Sequence, residues 1–194
     1  MNALPPVRLA TAADRERILD TLVTAFVADP VLRWLFPDDA TYPAYAEAFF
    51  GHLFDKRIGR RAVWTIDGDS VAVWEPPSEG AQEEADGTWA DRFPAEVRAR
   101  VDAYDHAVHA ALPPGPFWYL GVLGTRPEHA GKRWGRAVMA AGLRRAAEDG
   151  LPSVLETSNR GNVDLYRRAG WEVVGELTEP VPTWIMRQEP APRT

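Results

Sequence analysis

Three segments in the first half of the chain carry apolar side chains every three to four residues, the period of helices that bury one face. The first begins at Thr11, where Thr-Ala-Ala-Asp resembles a capping box with Asp in place of Glu, and it stops near Asp29-Pro30. The second covers about Tyr42 to Lys56. Pro94 opens the third helix, and the Pro-rich run Pro113–Pro116 ends it.

Between these helices lie short runs with the composition of β-strands. Val7–Thr11 is predicted to be a short strand, and two runs, Ala62–Ile66 and Ser70–Glu75, flank the tight Asp67-Gly68-Asp69 turn as a hairpin. The run Phe117–Thr125 is almost entirely apolar, which predicts a strand that is buried on both faces.

The last third of the chain alternates helices and strands. A helix from about Gly135 to Glu148 is followed by Gly150, which suits a C-cap. Pro152–Thr157 is then predicted to be a buried strand, Asn162–Ala169 a short helix, and the sequences WEVVGEL and PTWIMRQ two closing strands. This order of elements predicts a mixed α/β sheet within a single domain over residues 1–194.

Composition narrows the function. The chain has 194 residues, of which 45% are hydrophobic and 26% charged, so it can bury a full core. With no cysteine it has no disulfides, no thiolate metal ligands and no cysteine nucleophile. A net charge of -6 argues against a nucleic-acid partner. No apolar run approaches the length of a membrane span and the N-terminus lacks a signal-peptide pattern, so we expect a cytoplasmic protein that does not bind membranes.

The most informative segment is LGVLGTRPEHAGKRWGRAVM, Leu120–Met139, in which a buried strand leads through a loop into a helix. Unpaired N–H groups at a helix N-terminus form a site for an anion such as a pyrophosphate. Neither a P-loop nor a dinucleotide fingerprint is present. The alternative is an ordinary strand–helix connection with solvated charges. Glycines and basic side chains favour the anion site: Gly131, Gly135, Lys132, Arg133 and Arg136, with Arg126 if it faces the loop.

This segment resembles motif A of the GNAT superfamily of N-acetyltransferases, which bind acetyl-CoA at this loop. Five further segments are also similar to this superfamily, and most of all to its puromycin-type N-acetyltransferases. They are LETSNRGNVDLYRRAGWEVV, TWIMRQEP, VRLAT, TAFVADP and VAVWEPPS. The resemblance implies a mixed, mostly antiparallel central sheet flanked by helices. It further implies acetyl-CoA as co-substrate without a metal, a small-molecule amine acceptor, and a monomer or homodimer.

The loop departs from the family pattern Q/R-x-x-G-x-G/A at two positions. Ala130 stands where the family has Gln or Arg, and Arg133 stands where it has the central Gly. If that position is left-handed, Arg133 costs roughly 1–2 kcal/mol, which charge-assisted bonds to phosphates could offset. The resemblance implies the following residues around acetyl-CoA: Leu123, Gly124, Thr125, Ala130, Gly131, Lys132, Arg133, Trp134, Gly135, Arg136 and Asn162. Asn162 is alternatively an N-cap of its helix.

Two residues are the candidate catalytic groups. Tyr166, in LYRRAGW, lies where GNAT enzymes often carry a general-acid tyrosine. A phenol, with a pKa near 10, remains protonated at pH 7 and can donate to a departing thiolate. The alternative is a packed tyrosine. Glu156, in LETS, is a base for the acceptor ammonium, an electrostatic anchor for it, or a strand-end carboxylate paired with an arginine.

Aromatic and acidic residues suggest the acceptor pocket. Trp34 follows Asp29-Pro30 in a predicted inter-helix loop, a region that shapes the acceptor pocket in this superfamily. The candidate acceptor contacts are Phe26, Asp29, Trp34 and Trp74, an aromatic wall with a carboxylate that suits a bulky cationic amine. The acidic loop Pro76–Thr88 is typical of a mobile segment and either covers this pocket or faces solvent.

These features predict an N-acetyltransferase that acts on a small amine, and the resemblance implies an antibiotic of puromycin type as the candidate acceptor. The absence of cysteine favours direct attack in a ternary complex over a covalent thioester intermediate. The alternatives are a protein or peptide N-acetyltransferase, and a non-catalytic CoA-sensing protein with a degenerate loop. A metal site at His106 and His109 would need further ligands, and a solvated helix face is the simpler interpretation.

Overall fold

The computed structural model describes residues 4–77 and 89–190, and these residues form seven strands and six α-helices. The strands are β1 (Arg8–Leu9), β2 (Val63–Ile66), β3 (Ser70–Glu75), β4 (Trp118–Thr125), β5 (Ser153–Thr157), β6 (Glu172–Leu177) and β7 (Thr183–Gln188). The helices are α1 (Arg15–Ala25), α2 (Pro30–Leu35), α3 (Tyr42–Ile58), α4 (Ala95–Ala111), α5 (Trp134–Asp149) and α6 (Arg160–Arg168).

One seven-stranded sheet organises the chain, with strand order β1-β2-β3-β4-β5-β7-β6. The β4–β5 pair is parallel, and all other neighbours in the order are antiparallel. Because parallel strands need a crossover, the chain passes from β4 to β5 through α5. The prediction of a mixed, mostly antiparallel α/β sheet flanked by helices is confirmed.

Each face of the sheet carries its own hydrophobic core. On one face α1 to α4 pack over side chains such as Val71 and Val73 of β3. On the other face α5 and α6 pack over the alternate residues Ala72 and Trp74. This alternation is the period-two pattern of a strand with both faces covered.

The N-terminal helices begin where local chemistry satisfies their first N–H groups. The Asp14 carboxylate accepts from the Thr11 backbone N–H at 2.8 Å, as the capping prediction required. Asp29-Pro30, which was expected to end a helix, instead begins α2 with Asp29 as N-cap and Pro30 at the first position. Trp34 therefore lies in α2, and its prediction as a loop residue is wrong.

Strand β4 differs from the expectation of burial on both faces. Its residues alternate between buried and partly buried, so that one side remains partly open. Its register with β3 shifts between Val73, opposite Val122, and Trp74, opposite Leu120. Gly121 is thus the extra residue of a β-bulge, which turns the following side chains to the opposite face.

One further prediction, the N-cap of the short helix, needs correction. Helix α6 begins at Arg160, with the Asn159 side chain accepting from the Gly161 N–H at 2.9 Å, so Asn159 and not Asn162 is the N-cap. The predicted loop at 76–88 lies outside the described residues except for Pro76 and Pro77. None of the helices in residues 4–77 and 89–190 combines the length and the hydrophobicity of a membrane span.

Candidate active site

A gap opens where β4 and β5 stop pairing. The parallel ladder joins Trp118, Tyr119 and Leu120 to β5, whereas β4 continues to Thr125 beside β3 alone. Within the described residues, the backbone of Val122–Thr125 therefore has no strand partner on its β5 side. Free N–H and C=O groups on a strand edge can bind an extended ligand by sheet-like hydrogen bonds.

Glu156 stands at the end of β5 beside this gap. Its carboxylate accepts a hydrogen bond from the Tyr119 hydroxyl of β4. Burial is the main cause that raises the pKa of Glu156 to about 7, the Tyr119 hydrogen bond lowers it, and the charges of Asp29 and Asp105 raise it further. The alternative of pairing with an arginine is wrong, because the side-chain partner is Tyr119. A carboxyl with a pKa near neutrality suits proton transfer.

Tyr166 projects from α6 into the core beneath α5 and is nearly buried. Burial, and to a smaller degree the charge of Glu156, raises the pKa of Tyr166 to about 12. The two predicted catalytic groups are therefore within electrostatic range of one another. At neutral pH the Tyr166 hydroxyl keeps its proton and can act as a donor.

Asp29 and Phe26 lie on the opposite side of the sheet, between α1 and α2. Asp29 Oδ1 accepts from the N–H groups of Val31 and Leu32, both at 3.0 Å, and burial raises the pKa of Asp29. A Cβ added to Gly124 would lie 3.1 Å from Phe26 Cε2, which places this ring against the unpaired half of β4. Both residues are thus positioned near the gap.

The two tryptophans proposed as acceptor contacts have different surroundings. Trp34 is partly buried and packs against the core of the α1–α4 face. Trp74 is 0% exposed and lies against α5, where a Cβ on Gly142 would come within 2.2 Å of its ring. Trp74 is a core residue whose side chain is inaccessible to a ligand, so its prediction as an acceptor contact is wrong.

The loop before α5 contains two left-handed residues just ahead of the helix. Gly131 and Arg133 are left-handed, with φ of 77° and 65°. Arg133 therefore carries the backbone strain that the sequence predicted for a non-glycine residue there, roughly 1–2 kcal/mol. Gly131, Lys132 and Arg133 are all exposed, and the first N–H groups of α5 follow them. A Cβ on Gly135 would lie 3.2 Å from Thr125 Oγ1, so the helix N-terminus adjoins the end of β4.

An ion network ties this loop to the β2–β3 turn. The His129 ring stacks on Trp134 with centroids 4.1 Å apart, and its Nδ1 lies 2.9 Å from Lys132 Nζ. His129 Nε2 is 3.3 Å from the Asp69 carboxylate. Arg126 pairs with Asp20, Asp69 and Glu128, so three carboxylates already compensate its charge and it adds little to the proposed anion site.

Two other features lie away from the gap. A cleft of about 1010 Å³ is lined by arginines and tryptophans, but several of its charges are already paired, as in Arg8–Asp14 and Arg145–Asp149. On α4, His109 Nδ1 lies 2.9 Å from the Asp105 carbonyl oxygen. No group of three metal-ligating side chains occurs among the described residues.

Sequence reasoning missed two tyrosines of the site. Tyr119 contacts Glu156, and the pKa of Tyr104 of α4 is raised by burial and by the charge of Glu156. Gly121, a glycine in the middle of an apolar strand, is a signal that could have indicated the bulge beside Tyr119.

Comparison with known families identifies one match. A sequence model of the Acetyltransferase (GNAT) family matches residues 74–171, about half of the chain. This span includes β4, the loop, α5, β5 and α6, and therefore Glu156 and Tyr166.

Solved structures share the fold. One described as histone acetyltransferase HPA2 and related acetyltransferase from Corynebacterium glutamicum has a TM-score of 0.68 at 24% identity and covers 98% of both chains. Arylalkylamine N-acetyltransferase 2 from Aedes aegypti has a TM-score of 0.69 at 8% identity, covering 96% of this chain and 99% of its own. At these identities the likeness supports the architecture alone.

Proposed function

The chain belongs to the GNAT acetyltransferase family and is an N-acetyltransferase, and we propose that it transfers the acetyl group of acetyl-CoA to a primary amine of a small molecule by direct attack in a ternary complex. The observation that carries this proposal is the buried Glu156 carboxyl at the gap between β4 and β5, which is close enough to Tyr166 to influence its pKa. One group has a pKa near neutrality and the other stays protonated, which is the pair of roles that amine acylation needs.

The residues present fit acetyl-CoA, which supplies an activated acetyl thioester. Exposed N–H groups at the start of α5 and the side chains of Lys132, Arg133 and Arg136 are suited to its phosphates. The unpaired half of β4, Leu123–Thr125, offers strand hydrogen bonds to the pantetheine arm. Ala130 offers no polar contact, and Asn162, whose Nδ2 lies 3.5 Å from Thr157 Oγ1, is a further proposed contact at the turn after β5.

Each proton has a proposed donor and acceptor. Glu156 takes the proton from the acceptor ammonium, which leaves a neutral amine able to attack. Backbone N–H groups near Leu123–Thr125 donate to the thioester carbonyl oxygen as charge develops on it. As the C–S bond breaks, Tyr166 donates its proton to the departing sulfur, and the second proton that the nitrogen loses on becoming an amide restores the Tyr166 phenol. The absence of cysteine supports a direct transfer to the amine.

The surroundings of Glu156 favour a cationic acceptor with an apolar body. Asp29 raises the pKa of Glu156 by like-charge repulsion, and a bound cation would relieve that repulsion. Phe26, Trp34 and Tyr104 supply aromatic surface on the same face of the sheet. Together with the sequence resemblance, these features lead us to propose an antibiotic of puromycin type as acceptor. We also propose that the enzyme is cytoplasmic, that it is a monomer or homodimer, and that it uses no metal.

The first test is the release of free thiol from acetyl-CoA. Puromycin leads a panel of amine antibiotics and short peptides, and acetyl-CoA binding is measured in parallel by calorimetry. We expect thiol release with puromycin and formation of an N-acetylated product by mass spectrometry. The Glu156→Gln variant serves as a catalytic control in the same assay.

Other outcomes redirect or overturn the proposal. Release only with another antibiotic keeps the small-molecule transferase and changes its acceptor. Release confined to peptides would establish the protein or peptide N-acetyltransferase. If acetyl-CoA fails to bind at millimolar concentration, the enzymatic proposal fails and a degenerate loop with Ala130 and Arg133 becomes the explanation.

A further inference from the structure

We infer that Tyr119 is a positioning residue of this transferase, whose hydroxyl holds the Glu156 carboxylate at the gap between β4 and β5. The inference rests on the proposed function, in which Glu156 accepts the proton of the acceptor ammonium. It adds to that function a residue of β4 that touches no reacting atom and acts only through Glu156.

The strand register brings Tyr119 to Glu156. Tyr119 pairs with Val154 in the parallel ladder, and Glu156 lies two residues further along β5, on the same face as Val154. The Tyr119 ring lies along β4 toward the C-terminal end of the strands, with Cε1 3.7 Å from the position that a Cβ on Gly121 would take. The ring thus lies beside the bulge residue at ordinary van der Waals distance, and the hydroxyl reaches the carboxylate.

No cation competes for this carboxylate. Within residues 4–77 and 89–190, no Lys, Arg or His forms an ion pair with Glu156. The charged and titratable groups that influence it are Asp29, Asp105, Tyr104 and Tyr119, and Glu156 in turn influences Tyr166. Among the described residues, Tyr119 is the side chain that hydrogen-bonds to the Glu156 carboxylate, so its hydroxyl is the group that orients it.

The hydrogen bond also controls ionisation. A donated O–H bond stabilises the carboxylate form, whereas burial and the charges of Asp29 and Asp105 oppose it. Removing the hydroxyl takes away the largest effect that lowers the pKa of Glu156, so this pKa must rise. At pH 7 a smaller fraction of the enzyme would then hold a base that can accept a proton.

The experiment compares wild type with Tyr119→Phe. Carbon-13 NMR of carboxyl-labelled glutamate follows the Glu156 titration in the free protein, with Glu156→Gln assigning the resonance. Its midpoint should move to higher pH in Tyr119→Phe. With whichever acceptor the thiol-release panel identifies, kcat/KM at pH 7 should fall about tenfold and should recover toward wild type at pH 9, while acetyl-CoA affinity stays unchanged.

Tyr42→Phe is the matched control. Tyr42 is also a buried tyrosine, but its hydroxyl donates to the Val23 carbonyl oxygen at 3.1 Å and does not contact Glu156. This variant should leave the titration midpoint and the pH profile in place. Thermal melting of both variants shows whether either one loses its fold.

The outcomes distinguish a failure of the Tyr119 inference from a failure of the proposed function. An unchanged Glu156 midpoint in folded Tyr119→Phe overturns the positioning role, whatever the enzyme acetylates. A shifted midpoint with an unchanged pH–rate profile would keep the contact and show that Glu156 is not the base. In Glu156→Gln, the further change Tyr119→Phe should have no effect on kcat/KM, and a second tenfold loss would contradict an action through Glu156.

Discussion

The two halves of β4 are continuous in sequence but meet different neighbours. Trp118–Leu120 pairs with β5, and Tyr119 and Leu120 also pair with β3 on the other side. The Trp118 indole donates to the Asp149 carboxylate at 2.9 Å. Val122–Thr125 pairs with β3 alone. The first half therefore builds the sheet, and the second half leaves its backbone available to a ligand.

The bulge at Gly121 separates the two halves, and the chemistry follows that division. Tyr119 and Glu156 meet beside the bulge, and the α5 N-terminus adjoins Thr125 at the far end of the strand. Polar groups thus collect where strand pairing fails. Sites of incomplete pairing next to a bulge are where a sheet can place functional groups without losing its ladder elsewhere.

The largest expected effect comes from a substitution in the site beside the unpaired half of β4, Val122–Thr125. Glu156→Gln keeps the size of the side chain but cannot accept a proton, so kcat/KM should fall about 1,000-fold at pH 8. Wild-type kcat/KM should also decline below pH 7, because the pKa of Glu156 is about 7 and the base becomes protonated. Thiol-release kinetics from pH 5.5 to 9 measure both effects. A variant with wild-type activity would remove Glu156 from proton transfer.

A substitution in the hydrophobic core tests the packing around the paired half of β4. Gly142→Ala would push a methyl group to within 2.2 Å of the buried Trp74 ring, so we expect a loss of about 2–3 kcal/mol in the free energy of unfolding. Urea denaturation measures it. Gly59→Ala is the control, since no atom lies within 4 Å of the added Cβ there. Equal stability of the two variants would mean that Trp74 is not packed as described.

Tyr166→Phe sharpens the assignment of the acid. Removing the hydroxyl should lower kcat about 30-fold, because the departing thiolate loses its proton donor, while the Kd for acetyl-CoA stays the same. Steady-state kinetics and calorimetry give the two quantities. An equal kcat in the variant would leave Tyr166 as a packed core tyrosine.

The raised pKa of Glu156 also makes a prediction about stability. Its folded pKa of about 7 exceeds the ordinary value of 4.5, so its contribution is fully present below pH 4.5 and is lost as the pH rises through 7. At pH 8 the free energy of unfolding of Glu156→Gln should therefore be about 2 kcal/mol higher than that of wild type. This difference should decrease toward pH 4.5. Denaturation of wild type and Glu156→Gln at pH 8 and pH 4.5 measures this difference. A stability gain that does not depend on pH would contradict the prediction.

The smallest effect concerns the left-handed residue of the loop. Arg133→Ala and Arg133→Gly both remove the guanidinium, so each should weaken acetyl-CoA binding several-fold. Only glycine relieves the strain at φ 65°, so Arg133→Gly should be about 1 kcal/mol more stable than Arg133→Ala. Calorimetry and thermal melting compare the pair. Wild-type affinity in both variants would show that Arg133 does not contact the phosphates.

Much of the local structure followed from the sequence because its causes are local. The Asp67-Gly68 turn, the Gly150 cap and the apolar periods placed most helices and strands, and the family pattern marked Arg133 as a strained position. Asp29-Pro30 was misread because the pair is compatible with both the end of one helix and the start of the next.

The site itself required the tertiary structure. Trp74 and Trp34 look alike in sequence, but only packing shows that Trp74 lies sealed under α5. Tyr119 and Glu156 are 37 residues apart, and their contact depends on the β4–β5 register and on the bulge at Gly121. Sequence patterns determine backbone preferences over a few residues, whereas burial and charge proximity, which set the pKa of Glu156, arise only when distant segments pack together.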